Sequence, residues 1–248
     1  MFPFPAGVRR TLAAALAVAS CNAAGLAAQT AAPPPPYRVG WGDAASVTAA
    51  ATIALFGART APPLSMCAPC DRADLPGIDR GTVDLRSGFA RTASDVALVG
   101  VAGGALLAAV SGVGPARARG DAVVLANAVA WTAAATEWLK VGVHRARPAL
   151  YRDGAVEAAT HASNRKSFPS GHTSTAFATA VAYTTLAQRQ RLPHATRNSL
   201  LLLGGATSVG ALRVIGGKHF PTDVLAGAAL GSGIGWLVAR LHPTTPTP

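Results

Sequence analysis

Apolar residues fall into six stretches of helical length, and no segment alternates apolar and polar residues as a strand does. The six stretches are 43–57, 94–113, 121–139, 173–187, 198–213 and 222–240. Residues that favour helix starts lie at four of them: Ser94 and Asp95, Asp121, Asn198 and Ser199, and Thr222 and Asp223. The pattern predicts an all-α protein that folds as a single bundle of about six helices.

The composition favours a bundle that lies in a membrane. Half of the residues are hydrophobic and 13% are charged, about half of the roughly 25% charged residues of soluble domains. Stretch 94–113 approaches the about 20 apolar residues that a spanning helix needs, whereas the Ala- and Thr-rich stretches leave a soluble bundle as an alternative. By the positive-inside tendency, the basic linkers face the cytoplasm, so loops 140–172 and 214–221 lie together on the outer side. With a cleaved leader, this arrangement favours five spans.

The N-terminal sequence is typical of an exported bacterial protein. Arg9 and Arg10 precede an apolar segment at 11–19 that has the length of a signal-peptide core. The sequence 18–21 resembles a lipobox, which would leave Cys21 acylated; ordinary cleavage a few residues later is the alternative. The predicted organisation is a leader at 1–28, a Pro-rich linker at 29–40, a helical domain at 41–241 and a disordered tail at 242–248.

Two further cysteines, Cys67 and Cys70, lie in a Cys-Ala-Pro-Cys segment. Because exported proteins fold in an oxidising compartment, we expect a local disulfide between them. A thioredoxin-like redox centre would need a βαβ pattern, which the sequence does not show, and two thiolates are too few for a zinc site.

The formal net charge of +11 indicates an anionic partner. Phosphate groups, nucleic acids and acidic lipid surfaces all fit that charge. The arginines are not interleaved with aromatic residues along a stripe, and the rest of the chain is too apolar for a typical nucleic-acid-binding domain. We therefore expect a phosphorylated ligand and a membrane surface, and no nucleic acid.

Three short motifs at helix–loop junctions carry candidate chemistry. In the first, Lys140 and Arg147 lie at the end of a helix, where two cations suit a phosphate. In the second, Ser170 and Gly171 open a helix whose free N–H groups favour an anion, and His172 can move protons there. A basic helix end and a Ser N-cap are the ordinary structural explanations of these two motifs.

The third motif joins Arg213, His219 and Asp223. An acid four residues after a histidine can accept a bond from one ring nitrogen and direct the other at a substrate. Taken alone, Asp223 is equally well explained as a helix cap. The loop before the second motif carries further bases that suit either a second phosphate or a solvated surface: His144, Arg145, Arg152, Arg165 and Lys166.

Together, the patterns Lys-x6-Arg-Pro, Pro-Ser-Gly-His and Arg-x5-His-x3-Asp resemble the type 2 phosphatidic acid phosphatase and vanadium haloperoxidase superfamily. The resemblance covers roughly residues 90 to 240. The chain departs from the family pattern at Leu212, where the family usually has Ser before the third-motif Arg, and this difference puts the fine positioning of the phosphate in doubt.

The resemblance implies a role for each motif residue. His219 would attack phosphorus and form a phosphohistidine, Asp223 would orient His219, and His172 would protonate the leaving group and then activate water. The phosphoryl oxygens would be bound by Lys140, Arg147, Arg213, Ser170 and Gly171. No metal or other cofactor is expected, and vanadate would bind as a phosphate mimic.

The function implied is hydrolysis of a phosphate monoester or diphosphate of a lipid, such as phosphatidic acid, phosphatidylglycerol phosphate or an isoprenyl diphosphate. A soluble periplasmic acid phosphatase of broad specificity is the main alternative. A vanadate-dependent haloperoxidase and a non-catalytic envelope protein are further alternatives. We expect a bacterial inner-membrane protein whose active site faces the periplasm, or a periplasmic or lipid-anchored one.

Overall fold

The computed structural model describes residues 37–61, 67–111 and 113–242. Within these residues it contains eight α-helices and no β-strand. The helices are α1 (Trp41–Arg59), α2 (Gly77–Arg80), α3 (Gly88–Val110), α4 (Pro115–Val143), α5 (Ala155–Ala159), α6 (Gly171–Gln190), α7 (Ala195–Ile215) and α8 (Pro221–Leu241). The all-α prediction is confirmed; the predicted leader, Cys21, most of the linker and the tail after residue 242 lie outside the described residues.

The six long helices correspond to the six predicted stretches, but several begin earlier than predicted. Helix α3 begins at Gly88, where the Ser87 side chain accepts a 3.2 Å bond from the N–H of Ala90. Ser94, a predicted start, lies inside α3 and donates instead to the carbonyl of Arg91. Helix α4 begins at Pro115, because a proline at the first helical position loses no helical hydrogen bond.

Helix α6 lies at the centre of the bundle. It packs against α3, α4, α7 and α8, while α1 packs on the outside of α4. Most buried positions of α6 are Ala, Ser or Thr, which allow neighbouring helices to approach closely. The fold therefore surrounds its most polar long helix with more apolar ones.

Among the described residues, four helical segments are long and apolar enough to cross a membrane: Gly88–Val110, Pro115–Tyr151, Ala195–Ile215 and Pro221–Leu241. Large apolar side chains are exposed on the outer helices, including Val99 and Leu107 of α3 and Leu225 and Leu237 of α8. These features are typical of a membrane protein. The predicted fifth span corresponds to α6, whose surface is covered by its neighbours and does not have that apolar composition.

Helices α6 and α8 meet along a seam of glycines. A Cβ added at Gly231 or Gly235 would collide with a backbone carbonyl of α6, and one added at Gly227 would lie 2.7 Å from the carbonyl oxygen of Ser170. The Ser170 N–H also donates a 3.0 Å bond to the carbonyl of Asp223. The seam therefore fixes the start of α6 against the start of α8 through main-chain contacts.

Cys67 and Cys70 form a disulfide, with their Cα atoms 4.7 Å apart. The N–H of Cys70 donates a 2.7 Å bond to the carbonyl of Leu150, in the loop after α4. This contact fastens the segment between α1 and α3 to that loop, at the end of the bundle where the three motifs lie.

Candidate active site

The three motifs meet at one end of the bundle, as the sequence analysis expected of loops 140–172 and 214–221. Lys140 lies in the last turn of α4, His172 in the first turn of α6, Arg213 in the last turn of α7, and His219 between α7 and α8. The alternation of helix direction brings these junctions together, although the residues are far apart in sequence.

His219 is almost fully buried, with 2% of its side chain exposed. Its Nδ1 lies 2.8 Å from the backbone carbonyl oxygen of Ser167. A carbonyl oxygen only accepts hydrogen bonds, so Nδ1 carries the hydrogen and Nε2 keeps a free electron pair. Burial lowers the pKa of His219 to about 3, which keeps the ring neutral near pH 7.

Asp223 is linked to His219 through Ser167. Its Oδ2 lies 3.6 Å from His219 Nδ1, which is too long for a hydrogen bond. The same oxygen accepts 2.6 Å and 2.9 Å bonds from the Ser167 hydroxyl and the Phe220 N–H. The direct contact that the sequence analysis assigned to Asp223 is therefore made by Ser167, whose role depends on its backbone carbonyl and is invisible in the motif.

A buried ionic network holds Asp223 in turn. Arg145 donates 2.6 Å bonds to Asp223 Oδ1 and to Asp79 Oδ2. Asp79, whose side chain is 0% exposed, also accepts a 3.0 Å bond from the backbone N–H of Thr222. His219, Ser167, Asp223, Arg145 and Asp79 together form what is named here the His219 cluster.

His172 has a different environment. Its side chain is 33% exposed, and its Nε2 lies 2.8 Å from Oδ1 of Asp95, whose side chain is 60% exposed. The same oxygen accepts a 3.2 Å bond from Arg213 Nη1, which also donates to the Ser94 hydroxyl at 3.1 Å. His172, Asp95, Arg213 and Ser94 form the His172 cluster; the sequence analysis took Asp95 for a helix start.

The residues of the first and second motifs that were predicted to bind phosphate are in contact. Lys140 Nζ donates a 2.5 Å bond to Glu137 Oε1, and a Cβ added at Gly171 would lie 3.1 Å from that Nζ. A side chain at residue 171 would therefore crowd Lys140. Ser170 is buried and its hydroxyl accepts a 2.9 Å bond from Thr173, so its own hydrogen can be directed at an oxyanion.

Several cations face the same space. The Nε atoms of Arg147 and Arg213 are buried without a hydrogen-bond partner in the described part of the chain. Burial lowers the pKa of Lys218, and the charges of neighbouring arginines, Arg147 first, lower it further. Unsatisfied buried donors and mutually repelling cations are expected where an anion completes the site.

The other bases of the loop hold the structure together. Lys166 Nζ donates 3.0 Å and 3.1 Å bonds to the last carbonyls of α1, those of Gly57 and Ala58. Arg152 donates a 3.1 Å bond to the carbonyl of Leu85, and Arg145 belongs to the His219 cluster. These three bases are engaged within the protein. Over residues 37–61, 67–111 and 113–242, no group of three or more His, Cys, Asp or Glu side chains is placed to hold a metal.

Comparison with known proteins identifies several similar ones. The profile of the PAP2 superfamily matches residues 121–246. A lipid A 1-phosphatase from Rhizobium etli is 34% identical over 107 residues, which are 42% of this chain and 43% of that protein. A lipid A 1-phosphatase from Rhizobium johnstonii is 35% identical over 104 residues, which are 41% of this chain and 39% of that protein. The match thus spans less than half the length of each of these curated relatives.

A solved structure is also similar. It is a transmembrane PAP2-type phosphatidylglycerolphosphate phosphatase from Bacillus subtilis, with 20% sequence identity and a TM-score of 0.47. The superposition covers 80% of this chain and 94% of that one.

Proposed function

The chain belongs to the PAP2 superfamily, and we propose that it is a phosphatase that removes the phosphate of a membrane lipid through a phosphohistidine. The observation that carries the proposal is the position of His219. Its ring is neutral, its Nε2 is free, and it lies among cations with unsatisfied N–H groups. A neutral nucleophile beside preorganised cations is what transfer of a phosphoryl group requires.

In the first step, the electron pair on Nε2 of His219 attacks phosphorus, and the bond from phosphorus to the lipid oxygen breaks. His172 donates a proton to that oxygen, so the lipid leaves as an alcohol, or as a monophosphate if the substrate is a diphosphate. His219 becomes cationic as it is phosphorylated. Asp223, with Oδ2 3.6 Å from Nδ1, stabilises this charge.

In the second step, His172 takes a proton from a water molecule that attacks the phosphorus, and the bond to Nε2 breaks. Inorganic phosphate leaves and His219 is neutral again. Asp95, 2.8 Å from His172 Nε2, stabilises the imidazolium that His172 forms in this step and needs for the next first step. Lys140, Arg147 and Arg213 bind the phosphoryl oxygens throughout, where negative charge is concentrated.

A lipid is the substrate class best supported. The four candidate spans of the described residues support a membrane location, and the two curated relatives are named for a lipid substrate. Phosphatidic acid, phosphatidylglycerol phosphate, an isoprenyl diphosphate and a lipid A phosphate share the same chemistry at phosphorus. The predicted leader and the basic linkers favour the periplasmic face for the active-site end.

The test is a substrate panel with purified full-length protein, combined with trapping of the intermediate. Lipids labelled in the phosphate should release labelled inorganic phosphate. Rapid quenching at alkaline pH should leave label on the protein, because phosphohistidine is stable to base and labile to acid. Label should be absent from a His219→Ala variant. Labelling of that variant, or turnover without any labelled wild-type protein, would contradict the mechanism.

Metal independence is tested in the same assay. We expect a chelator to leave the rate unchanged, since every charge assigned to the phosphate comes from a side chain. A loss of rate that added Mg²⁺ restores would show that a metal is required. Hydrolysis of a small soluble ester faster than of any lipid would favour the broad-specificity phosphatase instead.

A further inference from the structure

An apolar groove of about 700 Å³ runs along the outside of the bundle towards the active site. Its floor is α4 from Ala122 to Glu137, and its walls are α1 at Ala51 to Ala58 and α3 at Ala102 and Leu106. Small side chains form most of the floor and the α1 wall, which leaves an open groove between the neighbouring helices. With a rise of 1.5 Å per residue, the floor is about 22 Å long.

The groove ends beside the phosphate-binding residues. Ala58 and Glu137 line both the groove and a smaller polar pocket of about 230 Å³, which is also lined by Lys140 and Arg147. Glu137 is the one charged residue among those that line the groove in the described part of the chain, and it binds Lys140. An apolar channel thus opens directly onto two cations of the active site.

The walls of the groove are fastened in place. Trp138 Nε1 donates a 3.1 Å bond to the carbonyl of Ile53, which ties α1 to α4. Lys166 binds the carbonyls at the end of α1 and so ties that helix to the active-site loop. Helix α1 lies outside residues 121–246, the part that matches the family profile.

We infer that this groove binds an acyl chain of the lipid phosphate whose head group lies on Lys140 and Arg147. One leaflet of the hydrocarbon core is about 15 Å thick, so the floor is long enough to accompany a chain across it. Charge complementarity fixes the orientation of the lipid in the groove. One end of the groove adjoins Lys140 and Arg147 and suits the phosphate, whereas the other end is apolar and remote from these cations. The inference rests on the lipid phosphatase activity proposed above.

The experiment fills the groove at a position that is exposed and outside the active site. Ala126 is an exposed floor residue of α4, and Ala126→Phe would occupy the space of the chain. Ala229→Phe is the matched control, since Ala229 is an exposed alanine of α8 away from the groove. The purified variants are compared on a long-chain phosphatidic acid and on its short-chain, water-soluble analogue.

We expect Ala126→Phe to lower kcat/KM for the long-chain lipid about tenfold, the effect of losing about two buried methylene groups. Ala126→Phe should hydrolyse the short-chain analogue within about twofold of the wild-type rate. Ala229→Phe should hydrolyse both substrates within about twofold of the wild-type rate. An unchanged rate on the long-chain lipid, or an equal loss on both substrates by Ala126→Phe, would overturn the groove assignment.

Binding separates this inference from the proposed function. In a His219→Ala background, Ala126→Phe should weaken binding of long-chain phosphatidic acid and leave binding of inorganic phosphate unchanged. If the wild-type protein hydrolyses no phosphate ester but this difference in binding is seen, the phosphatase proposal fails and the groove stands. If binding of the long-chain lipid is the same with and without Ala126→Phe, the groove assignment fails.

Discussion

The His219 cluster and the His172 cluster place the same side chain in opposite surroundings. His219 is enclosed, with 2% of its side chain exposed, and every polar partner in its cluster is itself bonded to protein. His172 is 33% exposed and bonds an aspartate that faces solvent. The difference suits the two tasks proposed for them, since a nucleophile must hold one ring nitrogen fixed whereas an acid–base group must exchange protons with water.

The largest effect should come from the enclosed histidine. His219→Ala should lower kcat roughly 10⁴- to 10⁶-fold, because no other group supplies the attacking electron pair. Measuring kcat with a lipid phosphate, with circular dichroism to establish folding, tests this expectation. If a folded His219→Ala protein keeps more than a small fraction of the wild-type rate, His219 is not the nucleophile and the proposed division of tasks between the two clusters is wrong.

The exposed histidine should matter less, and its effect should depend on the leaving group. His172→Ala should lower kcat about 10²- to 10⁴-fold on a lipid phosphate, whose alkoxide needs a proton. On p-nitrophenyl phosphate, whose leaving group is stable without one, the loss should be much smaller and phosphorylated His219 should accumulate. Equal losses on the two substrates would indicate that His172 does not act as the acid.

Two aspartates form a matched pair for stability. Asp79→Asn leaves Arg145 partly unpaired in a buried network and should lower the free energy of unfolding by about 3–5 kcal/mol. Asp95→Asn removes an exposed charge and should lower it by less than about 1 kcal/mol. Denaturant unfolding in one detergent compares both. Similar values for the two variants would show that the clusters are equally rigid.

The stability of the protein should also depend on pH. The pKa of His219 falls from 6.5 to about 3 on folding, so between these values the unfolded chain binds a proton that the folded chain does not. The free energy of unfolding should therefore decrease as pH falls through this window, by at most about 1.4 kcal/mol per pH unit. His219→Gln should lack that contribution; parallel curves for the two proteins would refute the lowered pKa.

The same pKa governs the activity profile of the free enzyme. Because His219 stays neutral down to about pH 3, an acid limb of kcat/KM at higher pH must come from another group. His172→Asn should alter this acid limb. An unchanged acid limb in the variant would show that a group other than His172 causes it.

Much of the molecule could be predicted from local sequence. Helical periodicity identified the six long helices, and the motifs lie at the junctions where their charges and turn residues indicated. The helix start predicted at Ser94 and Asp95 was wrong; it was predicted there because Ser and Asp often cap helices. Here Ser87 is the cap, and Asp95 lies about two turns inside α3, where it reaches His172.

The supporting contacts could not be predicted in this way. Arg145 and Asp79 are 66 residues apart, and Asp79 lies in a single-turn helix that carries no periodic signal. The role of Ser167 depends on a backbone carbonyl, which every residue possesses. Residues that hold a site act through tertiary contacts, whereas residues that touch the substrate are chosen for their chemistry and so leave a pattern.

The glycine seam between α6 and α8 has a consequence for how the active site can vary. Main-chain contacts have no alternative rotamers, so a slip of α6 along α8 could not be absorbed by rearranging side chains at the seam. Such a slip would break the 3.0 Å bond from Ser170 to Asp223 and separate the second motif from the third. The joint position of the second and third motifs therefore depends on the absence of side chains at Gly227, Gly231 and Gly235.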